Sequence, residues 1–269
     1  MTLVPEFRVS YLATYHDCSR RGAARMFHKQ VKEAGFSLAS GDGPSPVYRS
    51  FGTAAHQAIT YAAECRIDDA MPSTADMLDI GVNAFRQEIA DGCEWDDTTR
   101  NINDAAEQIR RIVVAYHGLV LPGLKPVMVE KELKADGGTF RLIGHADIIC
   151  PEEIRDIKTG AMSFAHYVQL GGYAILARAH KLSNPKRLVV DWFKRTRKHE
   201  PPLSVPSVEN IDQYINIARA TANRAIRDYQ LFEETGNPLV AFPENPSSKL
   251  CSPKFCTAYG TDFCPITKR

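Results

Sequence analysis

The chain has 269 residues, 33 Lys and Arg against 32 Asp and Glu, a formal net charge of +1 and 44% hydrophobic residues. A chain of this length buries roughly 70–75% of the surface its unfolded form exposes, so it can build a core without disulfide staples, and its apolar content excludes disorder. No window approaches the roughly 18 consecutive apolar residues of a membrane span, and near-neutrality excludes a global pull on nucleic acid while leaving room for local basic patches.

The opening MTLVPEFRVSYLATYHDC has no basic segment followed by an apolar one, which predicts no secretory signal and a reducing, cytoplasmic setting. Ser37–Ser50 reads as a loop. Phe51–Cys65 and Thr74–Asp91 carry apolar residues at helical spacing, and Asn101–Leu119 aligns Ile102, Ala105, Ile109, Ile112, Val113 and Tyr116 on one stripe. From Pro126 the texture changes. Val127–Leu133, Thr139–Cys150 and Ile154–Lys158 are short and β-branched, and Asp136-Gly137-Gly138 and Pro151-Glu152-Glu153 separate them, which predicts an antiparallel meander. Ser163–His180 returns to helical periodicity, Arg187–Phe193 reads as a buried strand, Ser207–Thr235 as a long helix closed by Gly236, and Pro238–Ser252 as a loop. This order predicts a mixed α/β domain around one central sheet.

The densest chemistry lies in Gly144-His145-Ala146-Asp147 and Asp156-Ile157-Lys158. Alternation along a strand puts Asp156 and Lys158 on one face and Ile157 on the other, and the turn between the two segments lets Asp147 lie beside Asp156. Two close carboxylates repel unless a cation neutralises them, and hard oxygen ligands suit Mg²⁺ or Mn²⁺. Such an ion, with Lys158 beside it, suits phosphodiester hydrolysis. Taken alone, D-x-K also fits a solvated strand edge. His56, on a helix opened near Gly52, offers an imidazole as a third ligand. Gln169 and Tyr173 are four apart, so they share one helix face. Glu130 and Glu132, two apart on a predicted strand, are further acidic candidates.

Cys18, Cys65, Cys93 and Cys150 are scattered, whereas Cys251, Cys256 and Cys264 crowd the C-terminal end. In a reducing compartment such crowding points to metal rather than disulfide, with buried structural thiols as the alternative. Two basic stretches could neutralise phosphates. One includes Arg20 and Arg21 beside Cys18, and the other runs Lys194-Arg195-Thr196-Arg197-Lys198.

The ordered set Gly52…His56, Gly144…Asp147, Asp156-Ile157-Lys158 and Gln169…Tyr173, preceded by Ser10-Tyr11-Leu12 and Tyr15-His16-Asp17-Cys18, resembles the RecB-like branch of the PD-(D/E)xK nuclease superfamily. That branch includes CRISPR-associated cysteine-cluster nucleases and phage or helicase-coupled exonucleases. The resemblance implies a single restriction-endonuclease-like domain over 1–269, a central mixed sheet flanked by helices. It places a helical insertion at about 60–125 and cluster-binding ends at 10–30 and 245–269. It further implies Mg²⁺ or Mn²⁺ held by His56, Asp147, Asp156 and the Ile157 carbonyl, Lys158 as catalytic residue, and Gln169 and Tyr173 as the motif that follows it. Cys18 becomes the fourth ligand of a 4Fe-4S cluster with Cys251, Cys256 and Cys264, with Zn²⁺ as the alternative occupant. The spacing C-x4-C between Cys251 and Cys256 departs from the tighter C-x2-C of that branch.

The implied activity is hydrolysis of DNA at ends or in single strands during recombination, repair or phage DNA processing. The implied setting is the cytoplasm of a bacterium or phage-infected cell, with a recombinase, annealing protein or helicase as partner and no membrane. Two alternatives stand beside it: a catalytically idle nucleic-acid-binding or assembly module of the same fold, and a zinc-stabilised endonuclease.

Overall fold

The computed structural model describes residues 5–39, 44–160, 163–196 and 202–267. Strand β1 (Glu6–Arg8) runs directly into α1 (Val9–Asp17), followed by α2 (Ser19–Met26) and α3 (His28–Glu33). A helical lobe comes next, with β2 (Ser45–Pro46), α4 (Val47–Ile67), α5 (Thr74–Glu88), β3 (Cys93–Glu94) and α6 (Ile102–Leu119). The strand-rich part holds β4 (Met128–Val129), β5 (Glu132–Asp136), β6 (Arg141–His145), β7 (Ile148–Ile149) and β8 (Glu153–Lys158). Then follow α7 (Ala165–Ala179), β9 (Arg187–Phe193), β10 (Leu203–Ser204), β11 (Ser207–Val208), α8 (Ile211–Thr235) and α9 (Pro238–Ala241).

Local chemistry explains where the helices begin and end. Ser73 accepts the Asp76 N–H and Asn101 accepts those of Asn103 and Asp104, so two otherwise orphaned helix starts are capped. The predicted helix from Ser207 starts later than expected, because Ser207 and Val208 pair with Val189 and Leu188 and Asn210 is the cap. Gly236, at φ 62°, closes that helix in the left-handed conformation glycine tolerates. No helix among the described residues is long and apolar enough to cross a membrane.

The strands form a mixed architecture, but the expected single sheet and meander resolve into two main ladders. One has the order β1-β6-β5, the other β10-β9-β8-β7-β4 with β11 also on β9. Strands β8 and β9 are parallel, with Asp156 opposite Val190 and Lys158 opposite Trp192. The predicted strand Thr139–Cys150 is interrupted at Ala146-Asp147, where the chain leaves one ladder for the other. The predicted strand Val127–Leu133 is interrupted at Glu130, whose φ is 49°.

Two apolar cores sandwich the larger ladder. Val9, Leu12, Val168, Leu170, Ala174 and Val190 belong to the first, built by α1, α7 and α8. Phe51, Ala55, Ile59, Ile109, Ile157 and Phe193 belong to the second, built by α4, α5 and α6. Helices α7 and α8 pack so closely that a Cβ on Gly171 would lie 2.3 Å from the Tyr214 carbonyl oxygen. Inside the second layer, Arg155 grips Asp191 with two bonds of 2.9 and 2.6 Å, and the Tyr116 hydroxyl donates to the same carboxylate at 3.4 Å.

Candidate active site

The break between β6 and β7 frees the Asp147 side chain from regular ladder geometry. Its Oδ2 accepts the Ile157 N–H at 2.6 Å, which stitches the two motif segments together. Next along β8, fully buried Asp156 holds Lys158, with Nζ 2.6 Å from Oδ2. Lys158 also donates a long bond of 3.4 Å to the Ile157 carbonyl. From α7, Gln169 Nε2 donates to Asp156 Oδ1 at 3.1 Å and meets the Tyr173 hydroxyl at 3.0 Å. From the helical lobe, α4 presents His56, whose Nε2 lies 2.8 Å from Glu130 Oε1 and 3.6 Å from Asp147 Oδ2.

The six side chains singled out from the sequence for this site (His56, Asp147, Asp156, Lys158, Gln169 and Tyr173) therefore form one connected group. Glu130 joins them. Donor atoms of His56, Glu130 and Asp147 all lie within 4.8 Å of one another, the arrangement a single metal ion needs. Asp156 stands beside this trio with its Oδ2 engaged by Lys158. Glu132 does not share the face of Glu130. The left-handed turn at Glu130 separates them, and half-exposed Glu132 instead faces Lys134 at 3.3 Å and His145 at 3.8 Å.

Burial makes the electrostatics strong. Desolvation alone lowers the His56 pKa, but the Asp147 and Glu130 carboxylates outweigh it and lift it to about 10. Burial pushes Asp156 up to about 7, aided by Asp147 and opposed by Lys158. Burial also acts to raise Asp147, yet His56 and Lys158 hold it below the usual carboxylate range. Burial acts to lower Lys158, and Asp156 and Asp147 together hold it above the usual range, as an ammonium. His56 Nε2, Glu130 Oε1 and Asp156 Oδ2 are all shielded from solvent and are held by ion-pair contacts within the group. A divalent cation fits this donor set of one imidazole and hard carboxylate oxygens.

The two chain ends meet at a second site. Cys18, Cys251, Cys256 and Cys264 line one narrow cavity with Arg21, Glu244, Asn245, Ser248 and Tyr259. Asn245 Nδ2 donates to the Asp17 carbonyl at 2.8 Å, and Ser248 Oγ to the Asp17 carboxylate at 2.7 Å. Burial raises the Cys256 pKa, with Cys264 and Cys18 adding to the rise and Arg21 opposing it. Arg21 is 5% exposed. Its Nη2 binds Asp17 at 2.8 Å, while Nε and Nη1 are buried without a hydrogen-bond partner at this cavity.

Several basic residues read as phosphate contacts sit elsewhere than on a surface groove. Arg20 is 1% exposed and is spent on the Phe242 and Pro238 carbonyls and on Glu244, so it pins the tail and has no face for a phosphate. Arg21 is equally interior. Arg195 is clamped by Asp96 at 2.7 Å and Thr99 at 3.1 Å, which anchors its loop to the helical lobe. Half-exposed Lys194 lies over the Trp192 ring at 5.0 Å. Arg197 and Lys198 lie outside the described residues.

A family model described as the PD-(D/E)XK nuclease superfamily matches residues 6–265. No curated protein matches significantly. Among solved structures, a protein from Eubacterium rectale described as a "putative exonuclease" superposes with a TM-score of 0.54, covering 92% of this chain and 87% of that one at 9% identity, a likeness of fold.

Proposed function

The chain belongs to the PD-(D/E)XK nuclease superfamily, and on that footing we propose that it is a metal-dependent deoxyribonuclease acting on DNA ends or single strands. One observation carries this reading. Buried, closely spaced donor atoms of His56, Glu130 and Asp147 converge beside the Asp156–Lys158 ion pair. Three acids, an imidazole and an ammonium gathered at one spot, with pKa values pushed apart by burial and by each other, suit a cation and an anionic ligand.

In the proposed mechanism His56, Glu130 and Asp147 hold Mg²⁺ or Mn²⁺, with Asp156 and the Ile157 carbonyl as further oxygen donors. Bound there, the ion supplies a Lewis acid for a phosphate oxygen and acidifies a water. Lys158, kept protonated by Asp156 and Asp147, directs its N–H groups at the attacking water and the charge developing on the phosphate. Gln169 fixes the Asp156 carboxylate, and Tyr173 braces Gln169. These two are positioning residues.

At the joined chain ends the proposed occupant is a 4Fe-4S cluster on Cys18, Cys251, Cys256 and Cys264. The fit is supported by Arg21, a buried guanidinium with two unfilled donor positions at a cavity lined by four thiols, since metal-bound thiolates form an anionic centre. Recombination, repair or phage DNA processing in a bacterial or phage-infected cytoplasm, beside a recombinase, annealing protein or helicase, is the corresponding setting. The region 1–269 acts as one domain in this reading.

Incubation of end-labelled linear DNA and closed circular DNA with Mg²⁺ or Mn²⁺ tests the activity. Metal-dependent loss of linear DNA alone is expected. Equal cleavage of circles would favour an endonuclease, and no cleavage of either would favour an idle binding module. Visible absorption of anaerobically purified protein is expected from an iron–sulfur cluster, and a colourless protein with stoichiometric zinc would replace that assignment.

A further inference from the structure

Helix α4 carries more than His56. Tyr48, Gly52 and His56 stand at positions i, i+4 and i+8, so they share one helix face, and all three are half-exposed. At 1.5 Å rise per residue, Tyr48 lies about 12 Å along the axis from His56. Between them Gly52 presents bare backbone, and a Cβ there would come within 2.9 Å of the Thr159 hydroxyl oxygen, next in sequence to Lys158. Helix α4 and the residue after β8 are therefore in direct contact at Gly52, and any larger residue would push them apart.

At the far end of this face the cysteine tail reaches across. The Tyr48 and Phe255 rings lie 6.0 Å apart at 55°, and the Lys254 ammonium sits 4.9 Å from the first ring centre and 5.8 Å from the second. Lys254 and Phe255 belong to the four residues between Cys251 and Cys256, so the C-x4-C loop delivers this group to the helix that bears His56. Phe255 keeps 37% of its surface exposed despite these contacts. A second aromatic–cation pair lies at the end of the strand beside Lys158. Trp192, the register partner of Lys158, is tied by its Nε1 to the Gly160 carbonyl at 2.7 Å and lies beneath Lys194.

We propose that the Tyr48–Gly52–His56 face of α4 and the Cys251–Cys256 loop form the path of a single nucleic-acid strand toward the metal residues. Tyr48 and Phe255 stack its bases, and Lys254 meets its phosphates. Partly exposed aromatic rings beside a cation are a recurring means of holding unpaired bases, because every base has a π-face and every linkage a charge. A base stacking here would displace the Lys254 ammonium from the ring toward its phosphate. A duplex keeps its base faces stacked inside and offers such rings nothing to grip.

This inference rests on the nuclease reading, and one binding experiment separates their failures. Affinity for a labelled oligothymidine and for a blunt duplex of equal length is measured by fluorescence anisotropy at one salt concentration. A Lys158→Ala background prevents cleavage. Tyr48→Leu and Phe255→Leu keep apolar bulk but remove the ring face, and Tyr48→Trp preserves it. Each leucine variant is expected to lose about 5- to 50-fold in single-strand affinity, with duplex affinity within about twofold, melting temperature and bound metal as in the parent, and Tyr48→Trp at parental affinity. Leucine variants that bind the single strand like the parent, or that lose single strand and duplex equally, would overturn the path. A parent that binds neither DNA would overturn the nuclease reading and this inference with it.

Discussion

His56 Nε2 lies 2.8 Å from Glu130 Oε1, although one residue projects from a helix of the first lobe and the other from a left-handed residue between two strands. The cause is strand pairing. Val129 is opposite Ile148, so the residue after Val129 lands beside the residue before Ile148, which is Asp147. The Glu130 N–H then bonds the Ala146 and Asp147 carbonyls at 3.2 and 3.3 Å, and its side chain turns toward the imidazole. Glu130→Gln is expected to weaken Mn²⁺ binding and lower the cleavage rate by about 10- to 100-fold. Glu132→Gln, on the neighbouring exposed strand end, should leave both within about twofold. Metal titration of the two variants checks this, and equal effects would remove Glu130 from the site.

Metal binding should release protons. In the metal-free protein burial lowers the His56 pKa, but Asp147 and Glu130 carry it to about 10, so the imidazole is protonated at neutral pH. That raised pKa stabilises the metal-free fold fully below about 6.5, the unfolded value, and the stabilisation is lost as pH rises through about 10. A metal on Nε2 must displace this proton, so affinity should strengthen as pH rises toward 10, with close to one proton released per ion at neutral pH. Asp156, raised to about 7 chiefly by burial, adds a further fraction below that pH. Calorimetry in buffers of different ionisation enthalpy measures the release, and binding without proton exchange would refute it.

The Arg155–Asp191 pair supports the sheet from inside the second core, with side chains 7% and 0% exposed. Removing one partner leaves the other charge buried and alone. Asp191→Asn or Arg155→Ala should therefore cost about 3–5 kcal/mol in unfolding free energy. Chemical denaturation provides the measurement, and a loss below about 1 kcal/mol would show that the pair is better hydrated than its burial implies.

If the cysteine cavity holds the proposed cluster, Cys18→Ala and Cys264→Ala should each lose the metal and lower the melting temperature, because such binding would tie the N-terminal helices to the tail. Cys65→Ala lies outside that cavity and should change neither property. Metal analysis with thermal melting reads both outcomes. Wild-type metal content in the Cys18 variant would break the four-ligand assignment.

Much of this molecule was legible from spacing alone. Asn101–Leu119 and Arg187–Phe193 showed themselves because apolar periodicity reflects burial on one face or on both. Asp156 and Lys158 could be placed on a common face because strand alternation is a local property. Glu130 could not be placed, since its position depends on a left-handed backbone turn and on a pairing between β4 and β7 that no local pattern encodes. The split into two ladders at Asp147 was hidden for the same reason, as β6 and β7 read as one apolar run. The arginines misled in the opposite way. A run of basic residues suggests a solvated surface, but Arg20 and Arg195 have carbonyl or carboxylate partners distant in sequence.

DNA hydrolysis by Lys158 and the His56–Glu130–Asp147–Asp156 group with a divalent ion, as proposed, has a direct kinetic signature. The most direct measurement is the single-turnover rate on end-labelled single-stranded DNA with Mg²⁺ or Mn²⁺, wild type beside Lys158→Ala, with circular dichroism confirming that both are folded. Metal-dependent cleavage by the wild type and a loss of at least about 100-fold in the variant are expected. Cleavage at equal rates by both proteins, or none by the metal-loaded wild type, would contradict it.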